Sequence, residues 1–188
     1  MNQRASFRLP AIAGLILLVS ACASTPGEPH GASVAVQDAA PAAAAIAGFQ
    51  QPRPGLHTGG QPAATAWKSI AAQGVTTIIN LRPAAELGGR DEAAEVRDAG
   101  MAYRQIPVAG PADITLANAA RLWSALAQTP GATGVHCSSG NRVGALLALG
   151  AATQGGLDTE SAIAFGRAAG LGSAEARVRE VLAEWSTQ

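Results

Sequence analysis

Cys137 and Arg142 are the residues of this chain best placed to do chemistry, and they bracket a short loop, Ser138-Ser139-Gly140-Asn141. The stretch from Val135 to Gly144 reads as a strand that runs into a Gly-bearing loop and opens a helix. A thiol at that point stands where free loop amides and the positive end of the helix dipole converge, a setting that favours the thiolate. Arg142 then supplies a planar fork able to grip a tetrahedral oxyanion above the sulfur. The chemistry implied is nucleophilic attack on an anionic centre, with Cys137 attacking and Arg142 holding. Ser138, Ser139, Gly140, Asn141 and Val143 are the candidates to line the substrate, chiefly through amide N–H groups. Gly140 supplies the dihedral freedom that such a loop demands. His136, immediately before the nucleophile, is the candidate supporting residue, with a satisfied core histidine as the alternative.

The elements that must position these groups follow from the apolar spacing. Gly55 to Pro62 reads as a short strand ending in a Gly-rich turn, and Trp67, Ile70 and Ala71 share one face of a helix that Gly74 ends. Val75 to Leu81 is a β-branched run of buried-strand type, stopped by Arg82-Pro83. Asp91 can cap a helix through about Ala99, and Met101 to Val108 reads as a further strand. Asp113 or Thr115 starts the next helix, with Leu116, Ala119, Ala120, Trp123 and Leu126 as its core face. Thr133 to Cys137 is the strand before the loop, and Arg142 to Thr153 an apolar, buried helix. Two more helices follow, with Ala162, Phe165 and Ala169 aligned on one, and Val178, Val181, Leu182 and Trp185 on the other. Strands alternating with helices predict an α/β fold, a mainly parallel sheet flanked by helices on both faces. Its ligands bind beyond the carboxyl ends of the strands, where Cys137 falls.

The 188 residues carry 13 basic and 13 acidic side chains, so the formal charge is zero, and no Lys/Arg run suggests a nucleic-acid partner. With His30 in the amino-terminal region and only His57 and His136 beyond, no metal cluster is apparent and no cofactor is expected. Residues 1–21 combine two arginines, an apolar core from Leu9 to Val19 and small residues before Cys22, which reads as a signal peptide. Residues 22–48 are rich in Ala, Pro and Gly and read as a flexible linker. The domain is expected over 49–188.

Two resemblances sharpen these expectations. Val19-Ser20-Ala21-Cys22 resembles the lipobox of bacterial lipoproteins, which implies lipidation of Cys22, a membrane anchor and a place in the cell envelope. The absence of Asp at position 23 implies the outer membrane, facing the periplasm. His136-Cys137-Ser138-Ser139-Gly140-Asn141-Arg142 resembles the signature of the cysteine-dependent phosphatase superfamily. With Gly60-Gln61-Pro62 and Ile106-Pro107-Val108, residues 50 to 155 are similar to the phosphatase-like domain of bacterial beta-lactamase-hydrolase-like proteins. The resemblance implies a phosphoester hydrolase acting on a small anionic or phosphorylated substrate, with an aspartate upstream as proton donor; Asp113 occupies that region, a helix cap being its other reading.

Two departures bear on activity. Four residues separate Cys137 from Arg142, one fewer than in tyrosine and dual-specificity phosphatases and the spacing of the rhodanese loop. Val143 stands where the phosphatases place Ser or Thr. A rhodanese-like sulfurtransferase carrying a persulfide on Cys137, and a non-catalytic anion- or partner-binding lipoprotein, are therefore the alternatives.

Overall fold

The computed structural model describes residues 46–187. The expected signal peptide, Cys22 and the linker up to residue 45 lie outside the described residues. Ile46, the first described residue, is 3% exposed.

Five strands form one sheet in the order β1-β2-β5-β3-β4: β1 (Phe49–Arg53), β2 (Leu56–Gly59), β3 (Val75–Asn80), β4 (Ala102–Gln105) and β5 (Ala132–His136). β2, β5, β3 and β4 are parallel neighbours, and β1 lies antiparallel on β2 at the edge. β1 escapes the sequence pattern because Pro52 interrupts it. Proline donates no ladder hydrogen bond, and here it falls where the register shifts between Gln50 and Arg53 of an edge strand.

The helices are α1 (Trp67–Ala72), α2 (Glu92–Asp98), α3 (Leu116–Ala127), α4 (Asn141–Thr153), α5 (Thr159–Ala168) and α6 (Glu175–Ser186). Two apolar clusters lie on opposite faces of the sheet. α1 and α2 cover one, where Trp67, Ile70 and Val96 meet Val75, Ile78 and Met101. α3 to α6 cover the other, where Leu122, Leu146, Ile163 and Val178 meet Ile79, Leu81 and Val135. Alternate residues of β3 therefore serve opposite cores, which is why the strand reads as a nearly unbroken apolar run. Asp91 accepts the Ala94 N–H as the cap of α2, and Thr115, not Asp113, accepts the Asn118 N–H as the cap of α3.

α4 sits at the centre of the larger core, with Val143 to Ala152 all buried. Its glycines admit close neighbours: a Cβ at Gly144 would meet the Leu171 nitrogen at 2.1 Å, and one at Gly150 the Trp123 ring at 2.6 Å. Trp123 thus lies along α4, and the buried centre of α3 is Ala119, Leu122 and Ala125, with Ala120 exposed. Leu116, Trp123 and Leu126 pack against the same core, so of the expected face Ala120 is the member that turns outward. Trp185, expected in the core face of α6, is 41% exposed.

Candidate active site

The Cys137 loop starts where β5 ends, between β2 and β3, so its base is fixed by both neighbours. The Cys137 N–H donates to the Gly59 carbonyl (3.3 Å) and the Leu81 N–H to the His136 carbonyl (2.8 Å). Gly60 pairs with Ser139, and the Gln61 N–H donates to the Ser138 carbonyl (3.3 Å). A Cβ at Gly60 would stand 3.0 Å from that carbonyl oxygen, so glycine is what lets the two backbones approach. Gly140, at φ +90, is the amino-terminal cap residue of α4. Its left-handed backbone turns its N–H back toward the loop centre, where it donates to Cys137 Sγ at 3.1 Å. Cys137 itself is fully buried.

Arg142 lies on the first turn of α4, its side chain 12% exposed. Nη1 and Nη2 donate to the two carboxylate oxygens of Glu86 at 2.8 and 2.7 Å. Nη1 also donates to the Val108 carbonyl (2.5 Å) and Nη2 to Ser138 Oγ (3.0 Å). The hydrogen bonds to Glu86, above all, and the nearby Cys137 sulfur outweigh burial and hold the guanidinium firmly charged. The Arg142 hydrogen bonds likewise pull the Glu86 carboxyl below its ordinary value against the opposing effect of burial, with Arg82 adding to them.

A cleft of about 290 Å³ opens beside Arg142, walled by Ala109, Gly110 and Pro111 on one side and by Ser138, Ser139 and Ser173 on others. A larger hollow of about 500 Å³ between β4 and α3 is lined by Arg104 and Arg121, away from the Cys137 loop.

Comparison with solved structures decides the architecture. A candidate phosphatase from Neisseria meningitidis superposes with a TM-score of 0.60 at 21% identity, over 73% of this chain and 98% of that one. TpbA of Pseudomonas aeruginosa, solved in complex with phosphotyrosine, gives 0.51 at 17% identity, over 71% and 81%. The fold is that of the cysteine-dependent phosphatases. No family model matches the chain. By sequence, the beta-lactamase hydrolase-like protein of Xylella fastidiosa is 38% identical over 120 residues, which is 62% of this chain. The chain spans 28% of that relative's length.

Within this phosphatase fold the expected site residues take different places. Cys137, Ser138, Ser139, Gly140 and Arg142 come together as the loop and its anchor. Asn141 lines the cleft, but its side chain serves the wall: Oδ1 accepts the Gly172 and Ala174 N–H groups (2.8 and 3.2 Å) and Nδ2 donates to Ser173 Oγ (3.0 Å). Val143, expected to face the substrate, turns its side chain into the core and is 0% exposed. Its place on the inner face of a helix packed on both sides dictates this. Asp113 sits on the loop that walls the cleft, and its Oδ2 accepts the Ala109 N–H at 2.7 Å. Arg82 donates to Gln61 and pairs with Glu86.

Two acids had no place in the sequence reading. Glu86 ends a single 3-10 turn, Ala84–Glu86, after Pro83, too short for any periodicity to aim it. Glu92, at the first position of α2, passes for an ordinary acid at a helix start, yet it is 1% exposed. Its Oε1 accepts from Asn80 Nδ2 (2.8 Å) and His136 Nε2 (2.9 Å), and its Oε2 from Gln61 Nε2 (2.5 Å). Burial pushes the Glu92 carboxyl up, but these donors and Arg90 prevail and hold it below its ordinary value. An ionised carboxylate only accepts, so His136 carries its hydrogen on Nε2. The ring's Nδ1 faces the Cys137 carbonyl at 3.4 Å, and the Trp67 ring lies 6.0 Å away, centroid to centroid.

Proposed function

We propose that this domain is a cysteine-dependent, phosphatase-like hydrolase acting on small phosphoesters. The observation that carries the reading is the Gly140 N–H on the Cys137 sulfur at 3.1 Å, beside a charged Arg142 guanidinium at the start of a helix. In the proposed cycle the thiolate attacks phosphorus in line, the S–P bond forms as the ester P–O bond breaks, and the leaving oxygen takes a proton from Asp113. Water then attacks phosphorus and gives a proton to the Asp113 carboxylate, the S–P bond breaks, and inorganic phosphate leaves with the thiolate and the acid both restored. Loop amides and Arg142 would hold the equatorial oxygens. Because Cys137 is fully buried and Arg142 is occupied by Glu86, the substrate must open the loop and share the guanidinium before attack.

The fold, and relatives that bear hydrolase-like and phosphatase names, support this reading. The test is to assay the purified protein with an aryl phosphate and, separately, with thiosulfate and cyanide. Phosphate release that disappears in Cys137→Ser supports the proposal. Thiocyanate without phosphate release would replace it with sulfur transfer, and a melting temperature raised by vanadate without turnover would replace it with anion binding alone.

We further propose that the domain is tethered to the bacterial envelope through lipid on Cys22, on the sequence evidence alone. Labelled palmitate should enter the wild-type chain in cells and not Cys22→Ala; equal labelling of both rejects the anchor.

A further inference from the structure

Both ends of the nucleophile loop are tied to one buried carboxylate. On one side Glu92 accepts His136 Nε2–H, and His136 is bonded directly to Cys137 in the chain. On the other, Glu92 Oε2 accepts from Gln61, whose Oε1 accepts from Arg82 Nη1 (2.5 Å). Arg82 Nε donates to Glu86 (3.4 Å), and Glu86 grips Arg142. The path runs Cys137, His136, Glu92, Gln61, Arg82, Glu86, Arg142, and Ser138 Oγ closes it back onto the loop.

An interior acid is costly unless its acceptors are filled, and Glu92 has three side-chain donors from three separate segments, β3, the β2–α1 turn and the end of β5. Replacing any one of them leaves a buried group unmatched, so the arrangement resists small rotations. The Trp67 indole sits against His136 and is itself held, its Nε1 donating to Glu95 (2.9 Å) while Arg90 stands 5.8 Å over its ring. The imidazole therefore has few ways to turn.

We infer that Glu92 is the positioning residue of the nucleophile loop: it fixes the His136 ring, and through it the Cys137 peptide, while its second oxygen fixes the Arg142 end through Gln61, Arg82 and Glu86. It touches no substrate. The turnover arm of the test rests on the phosphatase reading; the reactivity arm does not.

The experiment compares wild type, Glu92→Gln and Gln61→Ala in the purified full chain. Iodoacetamide labelling of Cys137 is read from the mass of its peptide, and the ring nitrogens of His136 by ¹⁵N magnetic resonance. Glu92→Gln preserves shape but offers one acceptor where two stood. It should change the His136 Nε2 signal, slow Cys137 labelling severalfold by misaligning the sulfur with the Gly140 N–H, and lower kcat for an aryl phosphate by roughly 10- to 100-fold with KM little changed, the scale expected of a small misplacement. Gln61→Ala cuts the Arg142 branch while Asn80 and His136 stay on Glu92 Oε1, so it should weaken vanadate binding and change the His136 signal less than Glu92→Gln does. Labelling that is unchanged or faster in Glu92→Gln, the mark of a merely loosened loop, overturns the inference. If wild type turns over no phosphoester, the phosphatase reading fails while labelling and the His136 signal still decide the role of Glu92.

Discussion

The Arg142 guanidinium and the Glu86 carboxylate meet fork to fork, Nη1 to Oε1 at 2.8 Å and Nη2 to Oε2 at 2.7 Å. The charge that a phosphoryl group would use is thus already shared with a fixed anion. Glu86→Gln removes that competitor, and the Val108 carbonyl and Ser138 Oγ still hold the guanidinium in place. Phosphate or vanadate should bind roughly 3- to 10-fold more tightly to Glu86→Gln in calorimetry at low salt, with the gain shrinking as salt is added. Weaker binding would mean that Glu86 serves to aim Arg142 rather than to restrain it.

Asp113 already spends one oxygen on the Ala109 N–H. Asparagine keeps an acceptor for that N–H, so Asp113→Asn should retain the fold and its melting temperature. If Asp113 protonates the leaving oxygen, the rate loss must grow with the basicity of that oxygen. We expect a small loss on nitrophenyl phosphate and roughly a 100-fold loss on phenyl phosphate. Equal losses on the two esters would confine Asp113 to closing its turn.

Two glycines of the same loop-helix unit should fail in different ways. Gly140→Ala must hold a Cβ at φ +90, where its nearest neighbour, the Gly59 carbonyl carbon at 3.5 Å, is an ordinary contact. The cost is conformational, about 1–2 kcal/mol, and falls on the loop, so activity should drop more than stability. Gly144→Ala drives a Cβ against the backbone at Leu171 and Gly166, at 2.1 and 2.6 Å. It should separate α4 from α5 and destabilise the fold by about 3 kcal/mol or more, read as a shift of the urea midpoint.

Acid should unfold the domain through its paired glutamates. Glu86, Glu92 and Glu95 are each held below the ordinary value of 4.5, so the unfolded chain binds protons more readily than the native one. Their stabilisation is complete above the unfolded value and is lost as pH falls through the lower native values. Melting temperature should be level from neutrality down to about pH 5.5 and fall steeply below about 4.5. Glu92→Gln should flatten part of that fall; an identical curve for the variant would remove Glu92 from the account.

The alternation of β-branched runs with amphipathic stretches was enough to read an α/β sheet covered on both faces, because period 2 and period 3.6 are local properties of the chain. The same holds for Cys137, Gly140 and Arg142, which lie within six consecutive residues and so keep their mutual geometry wherever the strand-loop-helix unit is placed. What spacing could not carry was contact across long separations. Glu92 reaches His136 over 44 positions and Glu86 reaches Arg142 over 56, and neither acid differs in its neighbourhood from one facing water. Likewise the inward centre of α3, the burial of Val143 and the edge strand around Pro52 were set by which surfaces α4 and β2 left open. The sequence by itself determined the Cys137–Arg142 loop and the layers that carry it. Only the tertiary structure decided which charges were buried beside it, because a carboxylate becomes a buried partner through the donors that folding brings to it from elsewhere in the chain.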